Sequence, residues 1–180
     1  MSEEKKENGS APAPKSAAPA AEDSPPPLPP LGEVGKALES AKIAFTPLGE
    51  DSFGAEMVDV SAEHLLSAAE FIRHQCGFDL LLSCAGVDWK TRLESVYHLY
   101  HTQEHRFLVI KVTAVDEHSP SLTSVWPSAD WHERESYDLI GIQYDGHPNL
   151  SRILMPVDWL GHPLRKDYKV DDPRLVWNER

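Results

Sequence analysis

Cysteine is scarce in this chain, present only as Cys76 and Cys84. A C-x7-C spacing is neither a CxxC redox pair nor a four-thiolate cluster site, so the thiols are expected reduced, in or near a core. Long apolar runs are absent too. No stretch approaches the ~18–20 residues of a membrane span, and no apolar run follows the charged N-terminus as a signal peptide would require. Basic residues are outnumbered, 17 Lys and Arg against 29 Asp and Glu, for a net charge of −12. They form no long stripe, which disfavours nucleic-acid binding and direct adsorption to an anionic bilayer. There is no G-x-S-x-G elbow, no G-x-G-x-x-G and no P-loop, so neither a nucleophile nor a nucleotide site is supported. The chain reads as cytosolic in exposure, with little sign of chemistry of its own.

What is present divides the chain into three parts. Residues 1–30 hold Ala, Pro, Ser, Lys and Glu with almost no large aliphatic side chains, a composition expected to be disordered. Residues 31–145 alternate helix and strand periodicities. Leu31, Val34, Leu38 and Ala41 mark a short amphipathic helix, and Phe53, Ala55 and Met57 alternate as one face of a strand. Ser61 opens a clearer helix whose face is Leu65, Ala68, Ala69, Ile72 and Cys76, ended by Gly77. Strands are predicted over 78–88, 93–101 and 106–115, the last two joined by a hairpin turn at TQEH. These elements predict an α+β domain, a small, mostly antiparallel sheet with flanking helices. Residues 146–180 carry Pro148, Pro156, Pro163 and Pro173, which exclude a long helix or central strand, yet also Leu150, Ile153, Leu154, Met155, Val157, Trp159, Leu160, Leu164 and Trp177. This extended C-terminal strap must lie against its own domain or against a partner; composition leaves both open.

Three constellations invite a chemical reading. The first, WHERESYDLIG (131–141), nearly matches a helical zinc-protease motif, but Ser136 stands where the second histidine is needed. A capped helix accounts for more: Asp130 as N-cap, Glu133 at N3, Glu133 and Glu135 near the positive end of the dipole, an Arg134–Asp138 pair, and Gly141 as stop. Capping does not require Arg134, Glu135 and Asp138 together, and that surplus hints at docking. The second is H-x2-H-x3-H at His98, His101 and His105; on a strand the first two face opposite sides and cannot share an ion. His147 and His162 each sit in Gly-His-Pro, a turn signature. The third, PLRKDY (163–168), puts Arg165, Lys166, Asp167 and Tyr168 on a proline-stiffened strap beside Trp159, Leu160 and Leu164, a composition common at protein interfaces.

Together WHERESYDLIG, GHPNLSRILMPVDWLGHPLRKDY and their spacing resemble one family, the thirty-kilodalton subunit of proton-pumping NADH dehydrogenase, respiratory complex I. Its bacterial forms are called the C subunit, its cyanobacterial and plastid forms the J subunit. The block spans roughly 130–168; Ser151 and Ile140 depart from it where a second basic residue and an aromatic are common. The resemblance implies a protein without iron–sulfur cluster or flavin, in the hydrophilic arm of an NAD(P)H- or ferredoxin-linked quinone oxidoreductase. Clusters and quinone would belong to partner subunits, and membrane contact would come only through the complex, at the cytoplasmic face of an inner or thylakoid membrane. The strap would brace the large quinone-site subunit (the 49 kDa type) in the connecting module. Carried over by position, Glu133, Arg134, Glu135, Asp138 and Gly141 would stabilise that junction, and His147, Pro148, Arg152, Trp159, Leu164, Arg165, Lys166, Asp167 and Tyr168 would anchor the strap. The competing readings are a metal-dependent hydrolase built from the histidines with Glu133 and Glu135, or a free adaptor domain.

Overall fold

The computed structural model describes residues 28–169; positions 1–27, most of the segment expected to be disordered, and 170–180 lie outside the described residues. Five strands form the main sheet in the order β1-β2-β5-β4-β3: β1 Thr46–Glu50, β2 Glu56–Asp59, β3 Leu80–Asp88, β4 Leu93–His101 and β5 Arg106–Thr113. All pairings are antiparallel except β2 with β5. Alternation decides which side is covered. Ser95, Tyr97, Leu99 and His101 of β4 are buried, while Val96, His98 and Tyr100 on the other side are partly exposed, as the sequence predicts. Helices α1 (Glu33–Ser40) and α2 (Ala62–His74) lie over the sheet with Val34, Leu38, Leu65, Ala68, Ala69 and Ile72 in the core. A second, two-stranded parallel sheet pairs β6 (His118–Pro120) with β7 (Gln143–Asp145), and α3 (Ala129–Ile140) connects them and packs on β3.

Three expectations need correction. Strand β1 has no counterpart in the sequence reading; Pro47 and Gly49 lower its strand signal, which an edge position tolerates. The inward face of the next segment is Ala55, Val58 and Val60, with Phe53 exposed and Met57 half-buried. Its alternation begins one register later because the Asp51 carboxylate accepts the Phe53 and Ala55 amides at 2.8 Å, turning the chain before the strand starts. The first helix buries Val34 and Leu38, but Ala41 is its exposed C-cap. Both cysteines are free; burial pushes the Cys84 thiol up to about 12, so it is an inert core group.

Candidate functional site

A helix leaves its last four carbonyls without intrahelical partners, and the end of α3 shows where those of this helix go. Gly141, at φ +92°, donates its amide to the Ser136 and Tyr137 carbonyls at 3.1 and 3.0 Å. The remaining carbonyls are taken by residues some fourteen to twenty-five positions further on. Arg152 Nη1 and His162 Nδ1 donate to the Asp138 carbonyl at 3.2 and 3.0 Å, the Leu164 amide to Leu139 at 3.0 Å, and Arg165 Nε to Ile140 at 2.9 Å. Earlier along the helix, His147 Nε2 reaches the Asp130 carbonyl at 3.2 Å, and Arg134 holds the Ser151 carbonyl and hydroxyl, each at 3.1 Å. The strap therefore lies along α3 and completes its hydrogen bonding. Gly141 is the pivot: a Cβ there would stand 2.7 Å from the His162 ring, on a backbone that L residues rarely adopt. Gly141→Ala is expected to cost roughly 2 kcal/mol or more, read as a lowered urea midpoint at unchanged m-value; an unchanged midpoint would show that the strap is not seated against this turn.

Asp138 is the strongest single tie. It is fully buried. Its Oδ2 accepts the successive amides of Ile153, Leu154 and Met155 at 3.0, 2.7 and 2.8 Å, and Oδ1 pairs with Arg152 at 2.7 Å. Burial alone pushes this carboxyl up. The Met155 and Leu154 amides, the Arg152 guanidinium and the Ile153 amide outweigh it and hold the group below the usual carboxylate range. Arg152 also donates to the Gly161 carbonyl at 3.0 Å, closing the strap on itself.

Glu133 ties the other side of the helix. It too is fully buried, accepting the Leu122 amide at 2.8 Å, the Ser121 hydroxyl at 2.6 Å and the Tyr97 hydroxyl at 3.3 Å. No cation answers it among its described partners. Burial raises its carboxyl from 4.5 to about 7 despite those three donors. Beyond it, Tyr144 bonds to Ser95 at 2.8 Å, so a polar seam crosses the interface between sheet and helix.

Every functional candidate from the sequence can now be placed. The structure brings Glu133, Arg134, Asp138, Gly141, His147, Arg152 and Arg165 together around α3, but the bonds differ from those expected. The N-cap is Ser128, not Asp130, and Glu133 sits too deep in the helix to cap it. Arg134 and Asp138 do not pair; each binds the strap instead. Glu133 and Asp138 have no exposed surface, so any influence on a partner is exerted through loop 121–123 and turn 152–155. Glu135, Pro148, Lys166 and Asp167 are exposed, Trp159 and Tyr168 are half-buried, and Leu164 is largely exposed.

Several of the strap's aliphatic side chains behave oppositely to its hydrogen-bonding groups. None of residues 145–169 is buried. Val157 is 93 % exposed, and Leu154, Leu160 and Leu164 are about half exposed or more, an apolar ridge facing away from the domain that holds it. Sequence reasoning missed the turn residues Asp88 and Trp89. Asp88 accepts the Lys166 amide at 2.8 Å and the Lys90 amide at 2.6 Å, a link across seventy-eight positions that no local pattern signals.

The histidines form no centre. His98 bonds Ser83 at 3.2 Å, His105 bonds Tyr100 at 2.7 Å, and His101 packs edge-on against Phe78. Among the described residues, no group of three or more His, Cys, Asp or Glu side chains is placed to hold a metal ion, which removes support from the hydrolase reading. No described helix is long and apolar enough to cross a membrane.

Comparison with known proteins agrees with this geometry. The family model described as respiratory-chain NADH dehydrogenase, 30 Kd subunit, matches residues 58–174, which include α3 and the strap as far as 174. The C subunit of the NADH-quinone oxidoreductase of Salinispora arenicola is 42 % identical over 76 % of this chain, which spans 60 % of that relative's length. The C subunit of the Roseiflexus sp. enzyme is 45 % identical over 67 % of this chain and 74 % of its own, and that of Sinorhizobium medicae 39 % over 77 % and 72 %. Among solved structures, a trypsin-resistant fragment (1–134) of Nqo5 superposes with a TM-score of 0.54 at 27 % identity, covering 64 % of this chain and 97 % of the fragment. A chain of the membrane-bound sulfane sulfur reductase, an archaeal respiratory membrane complex, shares the fold at a TM-score of 0.60 and 22 % identity, covering 76 % of this chain and 84 % of its own.

Proposed function

This chain belongs to the family of the 30 kDa subunit of respiratory-chain NADH dehydrogenase, and from that premise we propose that it is a structural subunit of a proton-pumping NAD(P)H- or ferredoxin-linked quinone oxidoreductase. In this reading it carries no cofactor, and the iron–sulfur clusters and quinone belong to its partners. It sits in the hydrophilic arm, peripheral to the membrane and on its cytoplasmic face, and braces the large quinone-site subunit. One observation carries the reading: Arg152, His162, Arg165 and the amides of Ile153, Leu154, Met155 and Leu164 bond within the chain, while Leu154, Val157, Leu160 and Leu164 are turned outward. Leaving such a ridge in water is unfavourable by roughly 25 cal/mol per Å², and a covering subunit removes that cost. Lys166 and Asp167, exposed and next in sequence to the ridge's Leu164 and Arg165, supply polar side chains beside it.

The test separates binding from folding. Deleting 146–180 would strip the carbonyl caps from α3, so it is a poor probe. Val157→Ser, Leu160→Ser and Leu164→Ser together alter only outward side chains. The triple variant, as full chain, is expected to melt within about 0.5 kcal/mol per site of the unaltered protein, yet to be lost from the large assembly on native co-purification with the quinone-site subunit. Undiminished assembly would overturn the reading.

A further inference from the structure

Among the described residues no Lys, Arg or His bonds to Glu133, although its carboxyl has no exposed surface. A buried carboxyl without a cation takes its neutral form readily, and that form must donate a hydrogen bond as well as accept. The contacts decide where the bond points. At Oε1 the Leu122 amide, 2.8 Å away, can only donate, and the Tyr97 hydroxyl shares the oxygen at 3.3 Å. Tyr97 leads inward, to Cys84, Tyr144 and Ser95, all buried. At Oε2 stands the Ser121 hydroxyl, 2.6 Å away. Ser121 Oγ lies 2.8 Å from Thr123 Oγ1 and accepts the Thr123 amide at 3.2 Å, so one short turn keeps both hydroxyls within reach. Ser121 is buried, Thr123 half-buried and Ser124 exposed. The row runs from a buried acid to the surface in two steps.

A hydroxyl has one proton to give and two lone pairs to accept with, so the row has two complete arrangements. With Glu133 ionised, Thr123 donates to Ser121 and Ser121 donates to Oε2. With Glu133 protonated, Oε2 donates to Ser121 and Ser121 donates to Thr123, which turns its own proton to water. In both, Ser121 Oγ accepts two bonds, one of them from the Thr123 amide, and donates one. We propose that these three residues form a proton-binding site with a hydroxyl relay, in which Glu133 holds the proton and Ser121 and Thr123 carry it between the buried carboxyl and solvent. Inward transfer balances: hydronium gives a proton to Thr123 Oγ1, Thr123 passes its own to Ser121, and Ser121 passes its own to Oε2. The groups that face Glu133 from other elements stay neutral near pH 7. Burial lifts Tyr97 of β4 and Tyr144 of β7 well above their ordinary 10, and Cys84 of β3 up to about 12. Loop 121–123 has no ionisable side chain. On α3 itself, Arg134 is held by Ser151, and Asp130 adds to burial a negative charge that favours the protonated carboxyl.

The test uses the full-length chain and the infrared carbonyl band of a protonated carboxyl, assigned to Glu133 by its loss in Glu133→Gln. The band is expected near pH 5 and largely gone near pH 8. A rapid jump from the lower pH to the higher then times the proton's exit. Thr123→Val keeps the shape of the side chain and removes the outer hydroxyl. It is expected to slow the exit roughly tenfold or more, and Thr123→Ser to restore it. A fold that is merely destabilised opens more readily and releases the proton faster, so slowing cannot come from lost stability. Absence of the band near pH 5 overturns the proposal, as does an exit rate that Thr123→Val leaves unchanged or raises.

Discussion

Replacing Asp138 by alanine is expected to release the strap and to lower the stability of the chain by about 3–5 kcal/mol. The reason is what would be left behind. Three amides, of Ile153, Leu154 and Met155, converge on one buried oxygen, and Arg152 sits on the other. Without the carboxylate these donors lose their acceptor in a half-buried turn, and Arg152 keeps its charge with only the Asp138 and Gly161 carbonyls beside it. Asp138→Asn retains size and one acceptor, so it should fall between alanine and the unaltered protein. Hydrogen exchange gives the local readout: the amides of 153–155 lose protection while those of β3 to β5 keep it. The pH dependence has a fixed sign. Because the folded group lies below its ordinary value of 3.8, its contribution is present in full above that value and is lost as pH falls through the folded value. The difference between Asp138→Asn and the unaltered chain should therefore shrink in acid. A difference constant with pH would mean that the carboxylate's charge does not hold the strap.

The second large effect has the opposite sign. Glu133 is raised from 4.5 to about 7 in the folded chain, so between these values the folded state holds a proton that the unfolded chain has released. Stability from this site is full below about 4.5 and declines as pH rises through about 7, a loss of roughly 3 kcal/mol across the window. Glu133→Gln is close in shape and does not ionise. It should match the unaltered protein near pH 5, where Glu133 is protonated, and exceed it by a few kcal/mol at pH 8. Glu133→Ala, which abandons Leu122, Ser121 and Tyr97 and opens a cavity, should be destabilised at both. Urea unfolding of the three proteins at pH 5 and pH 8 measures this directly. Equal slopes with pH for the unaltered chain and Glu133→Gln would show the carboxylate to be solvated.

The sheet's centre is legible in the sequence because its signals are local and strong. Strand β4 begins and ends where alternation places it, and α2 shows its apolar face at helical spacing. Strand β1 is not legible, since Pro47 and Gly49 read as loop and only pairing with β2 makes the segment extended. The roles of Glu133 and Asp138 are hidden for a different reason. Carboxylates early in a helix and an Arg–Asp pair one turn apart have good local explanations, which is why capping and pairing are the natural expectation. Their actual partners lie eleven to thirty-six residues away, in segments whose position depends on the tertiary fold. Gly141 is legible because a positive φ at a helix end has few other solutions. The strap's composition announces that it must lie against something. It does not announce that strap amides and the Arg152, His162 and Arg165 side chains serve the chain's own helix while Leu154, Val157, Leu160 and Leu164 face outward.

That division of labour is tested most directly by footprinting the same full-length chain free and in the assembled complex. Carbene labelling reads side-chain accessibility, and hydrogen exchange reads the strap's amides. The expected result is that Ile153, Leu154, Met155, Leu164 and Lys166 amides are protected in both states, while Val157, Leu160 and Leu164 side chains label in the free chain and are shielded in the complex. Equal labelling of those side chains in both states, or unprotected strap amides in the free chain, would contradict it.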